Sequence, residues 1–451
     1  MDVPVIKTFV YDNQFYFYDT YLNKVIRVSY EQFTEICELM KIGLAEYMQL
    51  NKDTNSYNDI IKLIHKGYLK SNFIKKIEHP ATNNVDKIIN RGVNFLILQT
   101  TQQCNFKCRY CLYTRDNNIN RTHNNIEMSW NVAKKSVDFL FDHSKDAKLV
   151  KISFYGGEPL LNFELIKKVV EYAENRFVTK NIDFQMTNNG SLINKDVAIF
   201  LIEHNFHIMI SLDGPPNIQN KHRKFYENGN DTYDIVKHNI DIVRELSETY
   251  FKNNVSFNPV LMKDEPYQMV LDYFTNLGVE KEKVHCSYAH MAGIDYIEGN
   301  MRRDLVDSNY SDFTNYMNRE YIASAKMVMN KHSSIPEMWH PNGPCIPSIN
   351  RLFIDVHGNL YPCEKVLETS CATIGNIYDG FNIERVKQMM NIGKITEEDC
   401  KQCWAMRFCD MCVSKCIDFE NNCYSSDLKK LLCKEVRDSA RDYIRECIIK
   451  K

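Results

Sequence analysis

A chain of 451 residues is long enough for two or three domains, each with its own core. Its 56 Lys plus Arg nearly balance 58 Asp plus Glu, for a net charge of -2, so no overall field draws nucleic acid or an anionic membrane, and neither is expected as a partner. No apolar run reaches the roughly 18 residues of a membrane helix, and Met1-Asp-Val-Pro-Val-Ile-Lys has no basic region leading into an apolar stretch, so a soluble cytoplasmic protein is expected.

The first 75 residues read as a separate module. Residues 6–11, 14–18 and 25–28 are short runs of aromatic and β-branched side chains, the first two joined across Asp12-Asn13 as a hairpin. Ser29-Tyr-Glu-Gln32 has the form of a capping box, in which the hydroxyl accepts from the amide three residues on and the glutamine reaches back. It opens a helix carrying Phe33, Ile36, Cys37 and Met40, with Cys37 on the apolar face as a core residue; a second helical pattern covers 59–68. Strands followed by helices at this size predict a winged-helix-like domain, whose sheet edge beside a helix offers an extended peptide a place as an added strand. A small structural lid is the plainer alternative. Residues 76–92, in a polar stretch containing His79-Pro-Ala-Thr-Asn-Asn, read as a linker.

From 93 to 335 strands and helices alternate. Strand-like runs fall at 95–98, 150–154, 182–187, 208–212, 255–260 and 284–288, and helical patterns at 130–141, 163–177, 195–204, 233–246 and 267–277. Six βα units imply an α/β fold with a parallel sheet and helices outside, either a partial barrel or an open doubly wound sheet. Both collect ligands at the carboxyl ends of the strands. The polar motifs fall there: Cys104-Asn-Phe-Lys-Cys108-Arg-Tyr-Cys111 after the first strand, Tyr155-Gly-Gly-Glu-Pro159 after the second, Asn188-Asn-Gly190 after the third, Ser211-Leu-Asp-Gly-Pro215 at the fourth.

Three thiolates on a short loop can wrap one face of a [4Fe–4S] cluster, and since such a cluster takes four ligands, one iron is left for a substrate or cofactor. Zinc, which prefers four local ligands and paired CxxC knuckles, is the alternative. The CxxxCxxC spacing, with the aromatic Tyr110 before the last cysteine, resembles the signature of the radical S-adenosylmethionine (SAM) superfamily. That resemblance implies a partial (β/α)6 TIM-like barrel, a cluster on Cys104, Cys108 and Cys111, and SAM chelating the free iron. It also implies that Gly156, Gly157 and Glu158 hold the methionyl ammonium, that Asn188 and Ser211 contact the ribose and methionine parts, and that Arg223 in Asn220-Lys-His-Arg223 pairs with the carboxylate. Taken singly, these residues also read as a turn, a loop and a solvated arginine. The chemistry implied is reductive cleavage of SAM to a 5′-deoxyadenosyl radical that takes hydrogen from an unactivated C–H, with the protein orienting the target and excluding water.

Eleven of the sixteen cysteines lie from Cys345 to Cys447. In a large chain without a secretion signal, metal ligation explains them better than disulfides do. The spacing from Cys345 through Gly358 and Cys363, then Cys400, Cys403, Cys409, Cys412, Cys416 and Cys433, resembles the SPASM domain, a tail of peptide-modifying radical SAM enzymes with two auxiliary [4Fe–4S] clusters. The resemblance puts Cys345, Cys363 and Cys412 on one cluster and Cys400, Cys403, Cys409 and Cys433 on the other. The usual three residues between the fifth and sixth cysteines are two here, so Cys416 is the alternative to Cys412. If only one of them serves, an open iron remains for a substrate thiolate, although spare cysteines could close it. The two CxxC pairs also fit a zinc ribbon. Glu364, directly after Cys363, stands where a related enzyme has an acidic base; a surface glutamate is the plain reading.

The three parts (1–75 for leader-peptide recognition, 93–335 the radical SAM core, 336–451 the SPASM tail) together resemble thioether-forming maturases of short Cys-rich peptides, the SCIFF-peptide maturase family. That resemblance implies three [4Fe–4S] clusters and SAM as cofactors, with a Cys-rich precursor peptide bearing a leader and a low-potential electron donor as partners. The product would be a thioether between a cysteine sulfur and a carbon. The alternatives are an anaerobic sulfatase-maturing formylglycine-generating enzyme and, from another class, a non-catalytic Fe–S electron-transfer or peptide-binding protein.

Overall fold

The computed structural model describes residues 2–111, 123–262, 265–288, 334–341, 346–366, 368–418 and 420–449. The chain divides into two compact units, each drawn from separate segments: Met1–Val85 with Asn318–Cys345 and Glu384–Lys451, and Asp86–Met317 with Ile346–Ile383.

The first unit begins with an antiparallel sheet of Ile6–Tyr11, Gln14–Asp19 and Lys24–Val28, in that order. Asp12 and Asn13 both take positive φ (47° and 55°), the left-handed pair that a two-residue hairpin turn requires and that Asp and Asn tolerate. The helix Tyr30–Ile42 starts in the expected capping box, with Ser29 Oγ accepting from the Gln32 amide and Gln32 Oε1 accepting from the Ser29 amide. The second helix is Asn55–His65, capped by Thr54, four residues earlier than its pattern suggested, and a short helix Leu44–Gln49 comes between. One face of the sheet packs Ile6, Phe17 and Val28 on Ile36, Leu39, Tyr47, Tyr57 and Ile60.

The other face is covered too. Phe9 and Tyr18 pack against Ala405, Phe408, Ala440, Tyr443 and Ile444 of the cysteine-rich tail. Thr20 Oγ1 donates to the Trp404 carbonyl at 3.0 Å, and Arg407 donates to the carbonyls of Thr20 and Tyr21 at 2.8 and 2.9 Å. Residues 1–75 are therefore half of a joint core rather than a free module. The expected linker 76–92 is structured as well: Lys76–Ile77 pairs in parallel with Met338–Trp339, Thr82–Asn84 forms a single 3-10 turn, and Val85–Gly92 is helical.

The second unit is built on parallel strands that lie side by side in chain order: Phe95–Thr101, Leu149–Gly156, Asn181–Asn188, His207–Ile210 and Val255–Phe257. A parallel bridge from Phe257 to Val284 continues the series, and Val260–Leu261 pairs with Ser287–Tyr288. Sequential order without a reversal is the winding of a barrel wall; a doubly wound sheet reverses at its switch point. The helices Trp130–His143, Phe163–Arg176, Lys195–Glu203, Tyr233–Leu246 and Tyr267–Asn276 alternate with the strands. Leu96, Leu98, Val150, Ile152 and Phe154, at alternate positions of their strands, are fully buried, and Ile97 and Ser153 on the opposite faces are buried as well, as strands covered on both faces require.

On the other side of Phe95–Thr101 the sheet continues with Leu352–Ile354 in parallel, then Asn359–Tyr361, Gly375–Asn376 and Gly380–Phe381 antiparallel. Residues 346–383, expected in a separate tail that began at 336, thus extend the core sheet. Among the described residues no helix is long and apolar enough to cross a membrane.

Candidate radical-generating site and cysteine clusters

The cysteine loop leaves the sheet at Thr101, and its short strand Phe106–Cys108 pairs antiparallel with Arg223–Phe225, which sets Arg223 opposite Cys108. Cys108 is buried, Cys104 and Cys111 half-buried. Burial pushes the Cys108 thiol up to about 12 against the pull of Arg223, and it raises Cys104 as well. The three sulfurs interact electrostatically: Cys104 with Cys108 and Cys111, and Cys108 with Cys111. Thiols raised in this way become thiolates when a cationic partner replaces their protons.

The residues expected to hold SAM gather around this loop, several in work of their own. A Cβ on Gly156 would stand 2.2 Å from the Thr101 carbonyl oxygen, and one on Gly157 would stand 2.1 Å from that of Gln103. Both glycines thus allow the second strand end to press on the cysteine loop, where the amides of Gly157 and Glu158 donate to Thr101 and Gln103. Glu158, 1% exposed, accepts from the Leu160 amide at 3.1 Å and the Asn189 amide at 2.7 Å, stapling its loop to the next strand end. Burial raises its carboxyl to about 7.

Asn188 Oδ1 accepts from the Gly190 amide, but its Nδ2 is buried and has no partner among the described residues. An orphaned amide at a strand end is the kind of group a polar ligand satisfies. Ser211 is half-buried and donates its amide to the Asn188 carbonyl, bringing the third and fourth strand ends together. Arg223, expected on a carboxylate of SAM, is held by a protein carboxylate: Nε and Nη2 reach Asp213 at 3.0 and 3.1 Å, and Nη1 lies 3.8 Å from Cys108 Sγ.

Asp213 is the residue that sequence reasoning passed over. It was visible in Ser211-Leu-Asp-Gly-Pro215 but indistinguishable from a common loop. Fully buried, it accepts from Arg223, from Tyr110 Oη at 2.6 Å and from the Val260 amide at 2.9 Å, tying the cysteine loop to two later strand ends. Beneath it His222, fully buried, meets Glu265 at 2.5 Å; burial would raise that carboxyl, but His222 and the Met262 amide bring it below its usual value. Asn105, Asn189 and Ser191 close a further side-chain network from the cysteine loop to the third strand end.

In the tail, Cys400 and Cys403 flank the end of the helix Glu397–Lys401, Cys409 follows one turn on, and Cys433 projects from the long helix Ser426–Ile449. Cys403 interacts electrostatically with Cys400 and Cys433, and Cys409 with Cys400 and Cys403, so the expected set is grouped. Lys429, 2% exposed, donates to Cys400 Sγ at 3.3 Å and to Thr396 Oγ1 at 2.5 Å. Burial would lower its ammonium, yet the Cys400 and Cys433 sulfurs hold it above its usual value.

Cys416, buried, and Cys412 sit together, and Cys416 also interacts with Cys433. For the other expected set, Cys345 lies outside the described residues and Cys363 belongs to the second unit. Glu364, expected as a base, is half-buried in an ion pair with Arg351 and would have to leave it to take a proton. Among the described residues no three His, Cys, Asp or Glu side chains converge on one metal ion. A four-iron cluster asks something different, because each thiolate binds its own iron.

Residues 98–276 match the family model for the Radical SAM superfamily. A cysteine-type anaerobic sulfatase-maturating enzyme of Clostridium perfringens is 25% identical over 72% of this chain and 90% of its own. The radical SAM cyclopropyl synthase TigE of Paramaledivibacter caminithermalis is 28% identical over half of this chain and 47% of its own. The structure of anSMEcpe with bound AdoMet overlays 79% of this chain and 98% of its own with a TM-score of 0.57 at 22% identity. The α/β core is therefore a radical SAM fold. The family that this model describes implies SAM and a [4Fe–4S] cluster as cofactors. The residues present fit both groups, with three grouped thiols for one and the orphaned Asn188 amide at the neighbouring strand end for the other.

Proposed function

We propose that this enzyme installs thioether crosslinks, cysteine sulfur to carbon, in a ribosomally made Cys-rich precursor peptide. Cys104, Cys108 and Cys111 hold the radical-generating cluster; Cys400, Cys403, Cys409 and Cys433 hold an auxiliary one; Cys345, Cys363 and Cys412 or Cys416 hold a second. When bound, the first cluster and SAM supply an adenosyl radical that takes hydrogen from a peptide C–H. The chain's own residues do the rest. Asn188 and Ser211 orient SAM, and Asp213 and Arg223 fix the cysteine loop. Forming C–S from C–H and S–H removes two electrons from the peptide: one leaves with the hydrogen atom, an auxiliary cluster, when bound, would be the acceptor for the other, and the thiol proton goes to a base, for which Glu364 is the candidate once released from Arg351. A low-potential donor starts each cycle.

The observation that carries this proposal is the joint core of the N-terminal sheet and the tail. The strand Lys24–Val28 pairs with Gln14–Asp19 and, among the described residues, with no strand on its other edge. A leader added there as a further strand is held on the same packed unit as the four grouped thiols. Hydrogen exchange tests it: a leader peptide should protect the amides of residues 24–28, and an unchanged exchange pattern there would remove the recruitment role.

Sulfatase maturation is the second reading, favoured by the Clostridium perfringens relative that spans most of both chains. It leaves about a fifth of this chain, which has no counterpart in the anSMEcpe structure, without a use. Release of 5′-deoxyadenosine from SAM and reductant separates both enzyme proposals from a non-catalytic Fe–S protein.

A further inference from the structure

Among the described residues, Lys429 is the only fully buried lysine. Among the described residues no carboxylate pairs with it. Its Nζ reaches Cys400 Sγ and Thr396 Oγ1, and Cys400, Cys433 and Cys409 are its electrostatic partners. On the helix Ser426–Ile449 it stands one turn before Cys433, and four residues apart on a helix share a face. Arg437, one turn beyond Cys433, is a second but half-exposed cation beside Cys433 and Cys403. A buried ammonium without an anion is strongly disfavoured. Thiolates held by a metal centre supply that anion.

We propose that Lys429 is a positioning residue that raises the reduction potential of the auxiliary cluster on Cys400, Cys403, Cys409 and Cys433, fitting that cluster to accept the electron removed from the peptide. The proposal rests on the assignment of these four cysteines to a cluster. An oxidised [4Fe–4S] core with four thiolates is a dianion, and one added electron makes it a trianion. A fixed positive charge and an N–H···S bond favour the trianion more than the dianion, so they raise the potential. The electron comes from the peptide radical as the C–S bond closes, and it then leaves to an external acceptor, which can be the oxidised form of the donor that starts the cycle.

The test is an EPR-monitored redox titration of the full chain, reconstituted anaerobically, in a Cys104/Cys108/Cys111 triple-alanine background where only auxiliary signals remain. Lys429→Gln should keep its iron and lose about tenfold in the reduced-to-oxidised ratio at a fixed potential, which is about 59 mV for a one-electron couple. Lys429→Arg should keep the wild-type midpoint. A Lys429→Gln protein with full iron and an unchanged midpoint overturns the proposal. If Lys429→Gln loses the cluster, Lys429→Arg decides: retained iron and midpoint support a role for charge, whereas loss there too shows a role of shape and overturns it. A Cys400→Ala/Cys433→Ala protein that binds as much iron as its parent refutes the cluster assignment itself, and the role of Lys429 falls with it.

Discussion

Arg223 in the core and Lys429 in the tail each bring a buried cation to a cysteine sulfur, at 3.8 and 3.3 Å, in opposite surroundings. Two of the three donor nitrogens of Arg223 are fixed on Asp213, which Tyr110 also donates to, so the charge near Cys108 is buried together with its opposite. Lys429 has a hydroxyl and a sulfur, and no acid among the described residues. A neutralised pair leaves a cluster near its own potential, and a lone cation raises it. On the proposed function the difference suits two jobs: a centre that pushes an electron into SAM needs a low potential, and one that takes an electron from a peptide radical needs a higher one.

The comparison can be broken most completely at the core. A Cys104/Cys108/Cys111 triple-alanine protein should lose all 5′-deoxyadenosine release and about four of about twelve irons, measured by product chromatography and iron assay. Retained cleavage would place the radical chemistry elsewhere. Next in size, Asp213→Asn makes the core resemble the tail by stripping Arg223 of its anion. Breaking a buried pair should cost about 3–5 kcal/mol in thermal unfolding, raise the midpoint of the Cys108 cluster and depress SAM cleavage. Unchanged stability would mean that the Asp213 network does not hold the loop.

The smallest effect belongs to Glu158. Its carboxyl rises from the usual 4.5 to about 7 in the folded protein, so the folded state binds this proton more tightly than the unfolded chain does. The stability this provides is complete below pH 4.5 and is lost as pH rises through 7. Glu158→Gln should flatten that part of the melting-temperature profile, and an unaltered slope would show that the carboxyl does not titrate there.

The alternation of strands and helices was legible because fully buried parallel strands appear as unbroken apolar runs and the motifs stand directly after them. The capping box at Ser29 and the Asp12-Asn13 turn were legible because they are local chemistry. Pairings across long separations left no such mark. Nothing in Leu352–Ile354 says that it joins Phe95–Thr101, and nothing in Phe9 or Tyr18 names Phe408 and Tyr443 as partners. The close approach of Gly156 and Gly157 to the cysteine loop was not legible either, since a close approach to backbone and one to a ligand demand the same residue.

The joint core also limits the use of truncation. Removing residues 1–75 would uncover Phe408 and Tyr443 at about 1.5–3 kcal/mol for each large side chain, so loss of leader affinity would not isolate the sheet edge. The central claim is tested most directly on the product. After co-expression with a Cys-rich precursor, mass spectrometry should show a loss of two hydrogens for every thiol that no longer alkylates. An unmodified peptide, or a cysteine converted to an aldehyde, would contradict it.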